Sequence, residues 1–322
     1  MKKMKAIQIP SKGKSMKLVE VPVPQPGDGQ VLLRVEACGV CRGDARTITG
    51  DAPAYPRIPG HEVIGTIEGL GTNSKKWEIG ERVGTGYNGG NNHVTGLTMD
   101  GGYAEYMVAY EDSLCSIPDE LSALEAAPLM CAGETTFNAL KNSKARPGDL
   151  VAIQGIGGLG HLAVQYAKKA GFRTVAISRG SNKEELVRHL GAHHYVNSEK
   201  EDPAHALQTL GGAKVILATA PNAKAISSLI TGLGSDSELI IVASSAEPLE
   251  LSAMDFLKGP YTIKGSFTGK ATAREIEEAV NFSVLTDVRP MVEIFPLECA
   301  SEAYEKMMTA TTRFRAVLNI SK

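Results

Sequence analysis

Five short apolar runs alternate with amphipathic ones in the second half of the chain, and this alternation constrains the fold more than any other feature. The first run, LVAIQ, occupies residues 150–154, and the second, TVAIS, occupies 174–178. Between them, GLGHLAVQYAKKAG has helical spacing of its apolar residues and ends at glycine. Apolar strands that alternate with helices form a parallel sheet covered on both faces, and right-handed crossovers make it doubly wound. The sequence therefore predicts an α/β fold built on such a sheet.

The first 135 residues follow a different pattern, in which short alternating or β-branched runs are interrupted by glycine and proline. QVLLRVEACGV at 30–40 is typical, and such runs predict the strands of an antiparallel, barrel-like unit. A helical pattern follows at 122–140, where Pro128 is expected to kink or split the helix. Mixed character returns near the C-terminus, so we expect three segments: 1–135, 136–267 and 268–322.

The composition argues against several classes of partner. The chain of 322 residues has a formal net charge of −2, so it lacks the basic surface that binds nucleic acid or anionic membranes. No apolar run approaches the ~20 residues that span a bilayer, and MKKMKAIQIP at the N-terminus has no apolar core typical of a secretion signal. Five scattered cysteines argue against a disulfide framework and predict a reducing compartment, the cytoplasm.

The turn after the first apolar run has a glycine pattern suited to a dinucleotide. AIQGIGGLGHLA places Gly155, Gly157, Gly158 and Gly160, with Leu159 among them, between a strand and a helix. Glycines allow the backbone to approach a pyrophosphate closely, and the N–H groups at the helix N-terminus can bind it. A glycine pattern alone is also compatible with a packing turn, but the strand–turn–helix context favours nucleotide binding.

The end of the second apolar run indicates which nucleotide binds. An NAD site usually has an acidic residue there, about 20 residues beyond the glycines, that binds the ribose hydroxyls. Here Ser178 stands at that position, and Arg179, Ser181 and Lys183 follow it. With no carboxylate to repel a 2′-phosphate and two cations to bind it, the sequence favours NADP, with NAD as the alternative. A solvated loop that happens to be basic would have the same sequence.

Three widely separated residues are candidate metal ligands by likeness to a known set of catalytic zinc ligands, since their spacing alone does not single them out. Cys41 lies in CGVCRGDA, His61 in PGHEVIG and Cys131 in APLMCAGETT. Two thiolates and an imidazole suit zinc, and three protein ligands leave a fourth position for water or substrate, as in catalytic sites. His61 alone is also compatible with a surface turn. Cys38 and Cys41 form a C-x-x-C, but the chain has no second one, so a redox or structural-zinc interpretation of that pair is weak.

In the order and spacing of its motifs, the chain resembles the zinc-dependent alcohol dehydrogenases of the medium-chain dehydrogenase/reductase superfamily. The motifs are GVCRGD, PGHEVIG, DGGYAEYM, PLMCAGETTFNAL and GIGGLGHLAVQYAK. The resemblance implies a GroES-like catalytic domain, a Rossmann NAD(P)-binding domain and a C-terminal return to the catalytic domain. It also implies hydride transfer between NADP(H) and a primary or small secondary alcohol, or its carbonyl, in a homo-oligomer (dimer or tetramer).

The same resemblance gives roles to residues at the metal. Cys41, His61 and Cys131 match the ligands of one catalytic zinc per chain. Glu62 matches a glutamate beside the metal that can become an alternative fourth ligand. Asp44 matches a carboxylate that orients the histidine.

Three further residues are expected at the nucleotide. By resemblance, Arg42 and Arg315 match arginines that hold the pyrophosphate, and Thr135 matches a residue that touches the nicotinamide. An exposed position on a strand would equally explain Arg315. Tyr87 and Tyr55 are candidate residues of an apolar pocket that would admit unbranched or aromatic alcohols over polyols.

The sequence departs from the family pattern in two places. The residue after Arg42 is usually a serine or threonine that starts a proton relay, but here it is Gly43. We therefore expect water or another residue to carry the proton, and a hydroxyl installed at position 43 to raise alcohol oxidation. The stretch TGYNGGNNHVTGLTM at 85–99 lacks the four cysteines of a structural-zinc lobe, so a second zinc is excluded, and His93 within it is expected to be an exposed loop residue.

Two alternative functions stay open at this point. A zinc-free quinone or enoyl reductase of the same superfamily also lacks the structural-zinc lobe, but the presence of Cys41, His61 and Cys131 together argues against it. A non-catalytic nucleotide-binding protein could share the fold. The intact ligand set and the intact glycine turn argue against that function.

Overall fold

The computed structural model describes residues 2–243, 245–267, 269 and 271–321, and in it the chain forms two compact units. Unit 1 comprises Met1–Glu134 together with Thr268–Lys322, and unit 2 comprises Thr135–Phe267. Three residues at the ends of the predicted segments, Met1, Thr268 and Lys322, lie outside the described residues. The C-terminal part of the chain therefore belongs to the same unit as the N-terminal part.

The strands and helices agree closely with the sequence pattern. The strands are β1 Lys3–Gln8, β2 Lys17–Pro22, β3 Gln30–Val40, β4 Glu62–Leu70, β5 Arg82–Thr85, β6 Tyr106–Tyr110, β7 Leu114–Ser116, β8 Leu150–Gln154, β9 Arg173–Ser178, β10 His194–Asn197, β11 Ala213–Ala218, β12 Leu233–Ile241, β13 Thr262–Gly265, β14 Val292–Pro296 and β15 Arg315–Asn319. The α-helices are α1 Ala45–Thr49, α2 Ala123–Ala126, α3 Ala132–Lys141, α4 Gly160–Lys169, α5 Glu184–His189, α6 Pro203–Thr209, α7 Ala223–Ser227, α8 Ala253–Lys258, α9 Ala273–Thr286 and α10 Ala300–Met308. No helix within the described ranges is both long and apolar enough to cross a membrane.

Unit 1 is built on a seven-stranded sheet. Its strands lie in the order β14-β15-β3-β4-β5-β7, with β6 paired to β3, while β1 and β2 form a separate antiparallel pair. All neighbours in the large sheet are antiparallel except β14 and β15. The last strand, β15, pairs with the end of β3, where Ala316 lies opposite Val40. The C-terminal strand thus lies beside the strand that leads to Cys41.

Unit 2 contains a six-stranded parallel sheet in the order β10-β9-β8-β11-β12-β13. With β8 as the first strand this is the 3-2-1-4-5-6 order of the Rossmann fold, which confirms the predicted doubly wound sheet. All five residues of β8 are buried, as its apolar sequence requires. The sequence analysis missed the edge strand β13, whose residues are half-buried or exposed and which has no apolar run.

The helical stretch around Pro128 is split, as predicted. Ser122 caps α2 by accepting a hydrogen bond from the Glu125 N–H, and Pro128 lies in a short 3-10 turn that follows it. A proline cannot supply the N–H that an α-helix needs at this point. Cys131 has φ −136° and ψ −69°, outside the helical range, between this turn and α3. The break therefore sets the direction in which the Cys131 side chain leaves the backbone.

Candidate metal and nucleotide sites

Cys41 follows β3 and caps a short 3-10 turn of residues 42–44. The Gly43 N–H donates to the Cys41 sulfur (3.4 Å), and the Cys41 N–H donates to Asp44 Oδ2 (3.0 Å). This reciprocal cap satisfies backbone donors that the turn would otherwise leave without partners. It also fixes the Cys41 sulfur and the Asp44 carboxylate relative to each other.

His61 immediately precedes β4 and is oriented by Asp44. Its Nδ1 lies 2.8 Å from Asp44 Oδ1, and both residues are 2% exposed. Because the carboxylate accepts, Nδ1 carries a proton, and Nε2 is the nitrogen left to bind a metal. Nε2 is buried and has no hydrogen-bond partner. A buried imidazole nitrogen without a partner is costly unless a ligand completes it.

Four potential ligand atoms converge here, from Cys41, His61, Glu62 and Cys131, and we call these residues the donor cluster. One ligand atom from each lies within 4.8 Å of all the others. The Cys41 and Cys131 sulfurs are 3.8 Å apart, far longer than the ~2.05 Å of a disulfide. Two thiolates at about 2.3 Å from a tetrahedral zinc ion would be separated by about 3.8 Å. The donor cluster therefore fits zinc in both donor chemistry and spacing.

Glu62, the first residue of β4, forms a buried ion pair with Arg315 on β15. Its Oε1 accepts from Arg315 Nη2, and its Oε2 is buried without a partner. Arg315 is 6% exposed, so the alternative of an exposed strand position is wrong. A buried carboxylate is tolerated when an opposite charge accompanies it. One Glu62 oxygen thus balances Arg315, while the other lies against Gly39 without a hydrogen-bond partner.

The charges of the donor cluster shift the pKa values of its members. A hydrogen bond from Cys131 lowers the pKa of Cys41 well below its ordinary value, while the same bond raises the pKa of Cys131. Burial raises the pKa of Glu62 to about 7. Burial opposes the charged form of His61, but neighbouring negative charges outweigh it and raise its pKa. The raised pKa values of Cys131, Glu62 and His61 mean that these groups tend to keep their protons, and a bound cation would favour their deprotonated forms as ligands.

Gly43 lies against the face of the His61 ring. A Cβ added to Gly43 would lie 2.8 Å from His61 Cε1 and 3.3 Å from Nε2. A rigid imidazole cannot yield as a flexible side chain would, so any larger residue must displace the ring or the turn. The expectation that a hydroxyl at position 43 raises alcohol oxidation stays a prediction, and the close approach of the His61 ring argues against it, because the added side chain would disturb a candidate ligand.

Two tyrosines were expected to line a substrate pocket, and only Tyr87 contacts the donor cluster. Its ring meets His61 edge-on, with 5.1 Å between centroids and an interplanar angle of 86°. The Tyr87 hydroxyl accepts from Arg46 Nη1 (2.6 Å), a contact that the sequence did not indicate. The Tyr55 hydroxyl instead donates to the carbonyl of Thr47 (2.7 Å).

His93 is not a member of the donor cluster. It was expected to be exposed, but it is half-buried, and its ring stacks on Tyr110 at 5.5 Å between centroids. Its Nδ1 lies 3.2 Å from Thr98 Oγ1. These contacts give His93 a packing role inside its loop.

Tyr103 was missed as a site residue. Its hydroxyl donates to Asp44 Oδ2 at 2.9 Å, and its side chain is fully buried. The only signal in the sequence was the motif DGGYAEYM, which by itself does not indicate that a phenol reaches Asp44. The contact joins residues 59 positions apart, which local patterns do not encode.

In unit 2, the glycine turn has a backbone conformation that requires glycine at two positions. Gly155 has φ +89°, and a Cβ on Gly160 would lie 1.9 Å from the Gly155 carbonyl oxygen, so both positions need glycine for the turn itself. A Cβ on Gly157 would meet nothing within 4 Å. Gly158 and Leu159 are partly exposed beside it, and Leu159 precedes α4 without a side-chain cap. The helix N-terminus therefore offers N–H groups to an anion.

Residues 178–183, which we call the selectivity loop, begin where β9 ends at Ser178. Lys183 Nζ donates to the carbonyl of Ile156 (2.6 Å), which places its ammonium group beside the glycine turn. Arg179 is exposed, and Ser181 is exposed as well. The loop thus presents cations and hydroxyls at the end of the second strand, where a nucleotide's ribose is expected to bind.

Two residues that the sequence analysis did not consider border this loop. The Tyr195 hydroxyl donates to the carbonyl of Gly180 (2.7 Å). Glu199 Oε2 lies 3.8 Å from the position that a Cβ on Gly180 would occupy. A carboxylate at this distance opposes the binding of a phosphate, so the loop is less basic than its sequence suggests.

Two other residues expected to bind the nucleotide, Arg42 and Thr135, belong to different units. Arg42 belongs to unit 1 and is exposed on the turn after Cys41, whereas Thr135 is the first residue of unit 2 and is 4% exposed. The contacts of Arg42 and Thr135 with a nucleotide therefore stay predictions. The same is true of the role of Arg315 at the pyrophosphate.

The chain is similar to known families and proteins along nearly its whole length. Residues 27–119 match the family model described as alcohol dehydrogenase GroES-like domain, and residues 158–284 match the one described as zinc-binding dehydrogenase. An alcohol dehydrogenase of Penicillium expansum, patD, is 40% identical over 96% of this chain and 95% of its own length. An alcohol dehydrogenase of Geobacillus stearothermophilus is 37% identical over 99% of this chain and 100% of its own.

A solved structure has the same fold from end to end. The CAD of Helicobacter pylori, complexed with NADP(H), superimposes with a TM-score of 0.85 over 99% of both chains at 26% identity. Together with the GroES-like match, this confirms the predicted fold class of a GroES-like domain plus a Rossmann domain. The chain belongs to the zinc-type alcohol dehydrogenases of the medium-chain dehydrogenase/reductase superfamily and is an oxidoreductase that acts on alcohols.

Proposed function

We propose that the chain is a zinc-dependent alcohol dehydrogenase that holds one zinc ion per chain through Cys41, His61 and Cys131, with Glu62 as an alternative fourth ligand. The convergence of one ligand atom from each of four residues within 4.8 Å, together with the buried and unpartnered Nε2 of His61, carries this proposal. Metal analysis of the purified enzyme tests it. We expect about one zinc per chain, and an active enzyme with none, or with two, would contradict it.

Each residue of the site has a defined task in this proposal. Zinc held here would supply a Lewis acid for the oxygen of an alcohol or carbonyl, and the nicotinamide would accept or return the hydride. Asp44 holds the proton of His61 on Nδ1 and so directs the Nε2 lone pair into the donor cluster. Arg315 binds one oxygen of Glu62 and so holds this carboxylate beside the other residues of the cluster.

The proposed cofactor is NADP(H). Ser178 and Lys183 at the selectivity loop support it, as does the NADP(H) complex of the H. pylori CAD. In the same proposal the turn from Gly155 to Gly160, with Arg42 and Arg315, binds the pyrophosphate, and Thr135 contacts the nicotinamide. Steady-state kinetics with both nucleotides test the preference. A kcat/KM for NAD equal to that for NADP would exclude it.

The proposed substrates are primary or small secondary alcohols and the corresponding carbonyl compounds. The contact of the Tyr87 ring with His61 supports an aromatic environment near the metal ligands. A panel that compares unbranched and aromatic alcohols with polyols is the test. We expect kcat/KM to be higher for the first two, and a preference for polyols would contradict the proposal.

We also propose that the chain assembles as a homo-oligomer, a dimer or tetramer, in the cytoplasm. The assembly rests on the family resemblance. The compartment is supported by the cysteines, all five of which are free. Light scattering of the purified protein and cell fractionation test the two statements. A monomer in solution would contradict the first.

A further inference from the structure

We infer that Tyr103 is a positioning residue of the metal site, which acts through Asp44 to hold the His61 imidazole in the orientation that binds zinc. The inference rests on the proposed zinc site and goes beyond it, because Tyr103 touches neither a candidate ligand atom nor substrate.

The hydroxyl of Tyr103 completes the hydrogen bonding of the Asp44 carboxylate. Oδ2 accepts from the Tyr103 hydroxyl (2.9 Å) and from the Cys41 N–H (3.0 Å), while Oδ1 faces His61 Nδ1 at 2.8 Å. Three donors from three different parts of the chain thus fix one buried carboxylate. Because the rotation of Asp44 sets the direction of the imidazole, a donor on Oδ2 restrains the ring that contacts Oδ1.

The ring of Tyr103 is locked against the residue that precedes His61. A Cβ on Gly60 would lie 2.3 Å from Tyr103 Cδ1, so only glycine leaves room for the phenol ring. The Tyr103 N–H donates to the Pro59 carbonyl (3.0 Å), and the Gly102 N–H donates to the Gly60 carbonyl (3.0 Å). Backbone hydrogen bonds of this segment therefore fix the residues that precede His61, and the Tyr103 hydroxyl fixes Asp44.

Packing alone does not explain why the buried side chain at position 103 has a hydroxyl group. A phenylalanine would fill the same volume, and a buried hydroxyl is costly unless it finds a partner. Burial and the negative charge of Asp44 raise the pKa of Tyr103, so its hydroxyl keeps the proton that it donates. Without this donor, Asp44 Oδ2 would keep only the Cys41 N–H, and the carboxylate would be freer to rotate away from His61.

The test compares zinc release from the wild-type holoenzyme and from the Tyr103→Phe holoenzyme under an excess of a chelator. Loss of a partner that orients a metal ligand commonly weakens metal binding about 10- to 100-fold, and we expect zinc release to accelerate within that range. Tyr106→Phe is the matched control, because it removes a hydroxyl from the same motif whose hydrogen bond goes to Lys2 at the surface. It should release zinc at the wild-type rate.

A second comparison separates positioning from a purely structural role. In an Asp44→Asn background, Tyr103→Phe should add little further acceleration, because the pathway to His61 is already broken. Equal acceleration in both backgrounds, or zinc release from Tyr103→Phe at the wild-type rate, would overturn the inference and leave the zinc site intact. If Tyr103→Phe fails to fold, Asp44→Asn alone must accelerate release, and an unchanged rate would overturn the inference. A wild-type enzyme without zinc would instead contradict the proposed function, and the inference with it.

Discussion

The donor cluster and the selectivity loop differ in how far solvent reaches them. His61, Glu62 and Cys131 are at most 8% exposed, whereas Arg179 and Ser181 lie in water. In the cluster, polar atoms are buried away from water, so the loss of one ligand leaves the others unsatisfied. In the loop, water and salt screen the charges, so each charge contributes only a small, graded amount to the free energy of nucleotide binding. We therefore expect all-or-none effects at the cluster and shifts of preference at the loop.

The largest expected effect is the loss of a cluster ligand. Cys131→Ser should remove both bound zinc and alcohol oxidation, because a serine hydroxyl replaces a thiolate that the metal needs. Metal analysis and a rate assay on the same preparation measure this. Cys299→Ser, at a half-buried cysteine outside the donor cluster, should leave both unchanged. If the Cys131→Ser variant is active and holds one zinc per chain, the donor cluster tolerates the loss of a ligand, and the expected contrast with the selectivity loop fails.

A slightly smaller effect is expected from crowding the cluster without removing a ligand. Gly43→Ala and Gly43→Ser should both lower zinc retention by about tenfold or more, since overpacking typically costs about 1–3 kcal/mol. Gly69→Ala is the matched control, because its Cβ would make an ordinary contact of 3.5 Å with Leu32. Chelator-driven zinc release measures the effect. If Gly43→Ser instead retains zinc and oxidises alcohol faster, the steric argument fails and a missing relay hydroxyl explains the gain.

At the selectivity loop, a charge should shift preference and leave the chemistry intact. Ser178→Asp should reduce the ratio of kcat/KM for NADP to that for NAD by about 10- to 100-fold, because the carboxylate repels the 2′-phosphate. Ser178→Asn introduces a side chain with the shape of aspartate but without its charge, and it should change the ratio much less. The difference between the two variants should shrink at high ionic strength. Equal ratios for both variants would show that the 2′-phosphate does not bind at this residue.

The smallest effect is expected from the carboxylate that borders the loop. Glu199→Gln should raise the preference for NADP by only about two- to fivefold, since exposed charge pairs contribute about 0.2–1 kcal/mol. Glu201→Gln removes the same charge two residues further along and should have less effect. Titration of 2′-phosphorylated and unphosphorylated nucleotide by fluorescence would resolve the difference. No change with Glu199→Gln would place the 2′-phosphate beyond the reach of this carboxylate.

The sequence by itself determined the features that local patterns encode. The apolar strands, the glycine turn after β8 and the break at Pro128 follow from the spacing of residues that are neighbours in the chain. The resemblance of three motifs to a known family named Cys41, His61 and Cys131 as candidate ligands, and their chemistry suits zinc. Edge strand β13 was not predicted, because a strand at a sheet edge is only half-buried and needs no apolar run.

Only the tertiary structure decided which atoms meet. Cys41 and Cys131 are 90 positions apart, and Glu62 and Arg315 are 253 positions apart, so no periodicity relates them. The same holds for the Tyr103 hydroxyl on Asp44, for Glu199 beside Gly180, and for the His61 ring that occupies the space next to Gly43. Sheet pairing brings these segments together, and the side-chain contacts then follow from packing and from the need of each buried polar atom for a partner.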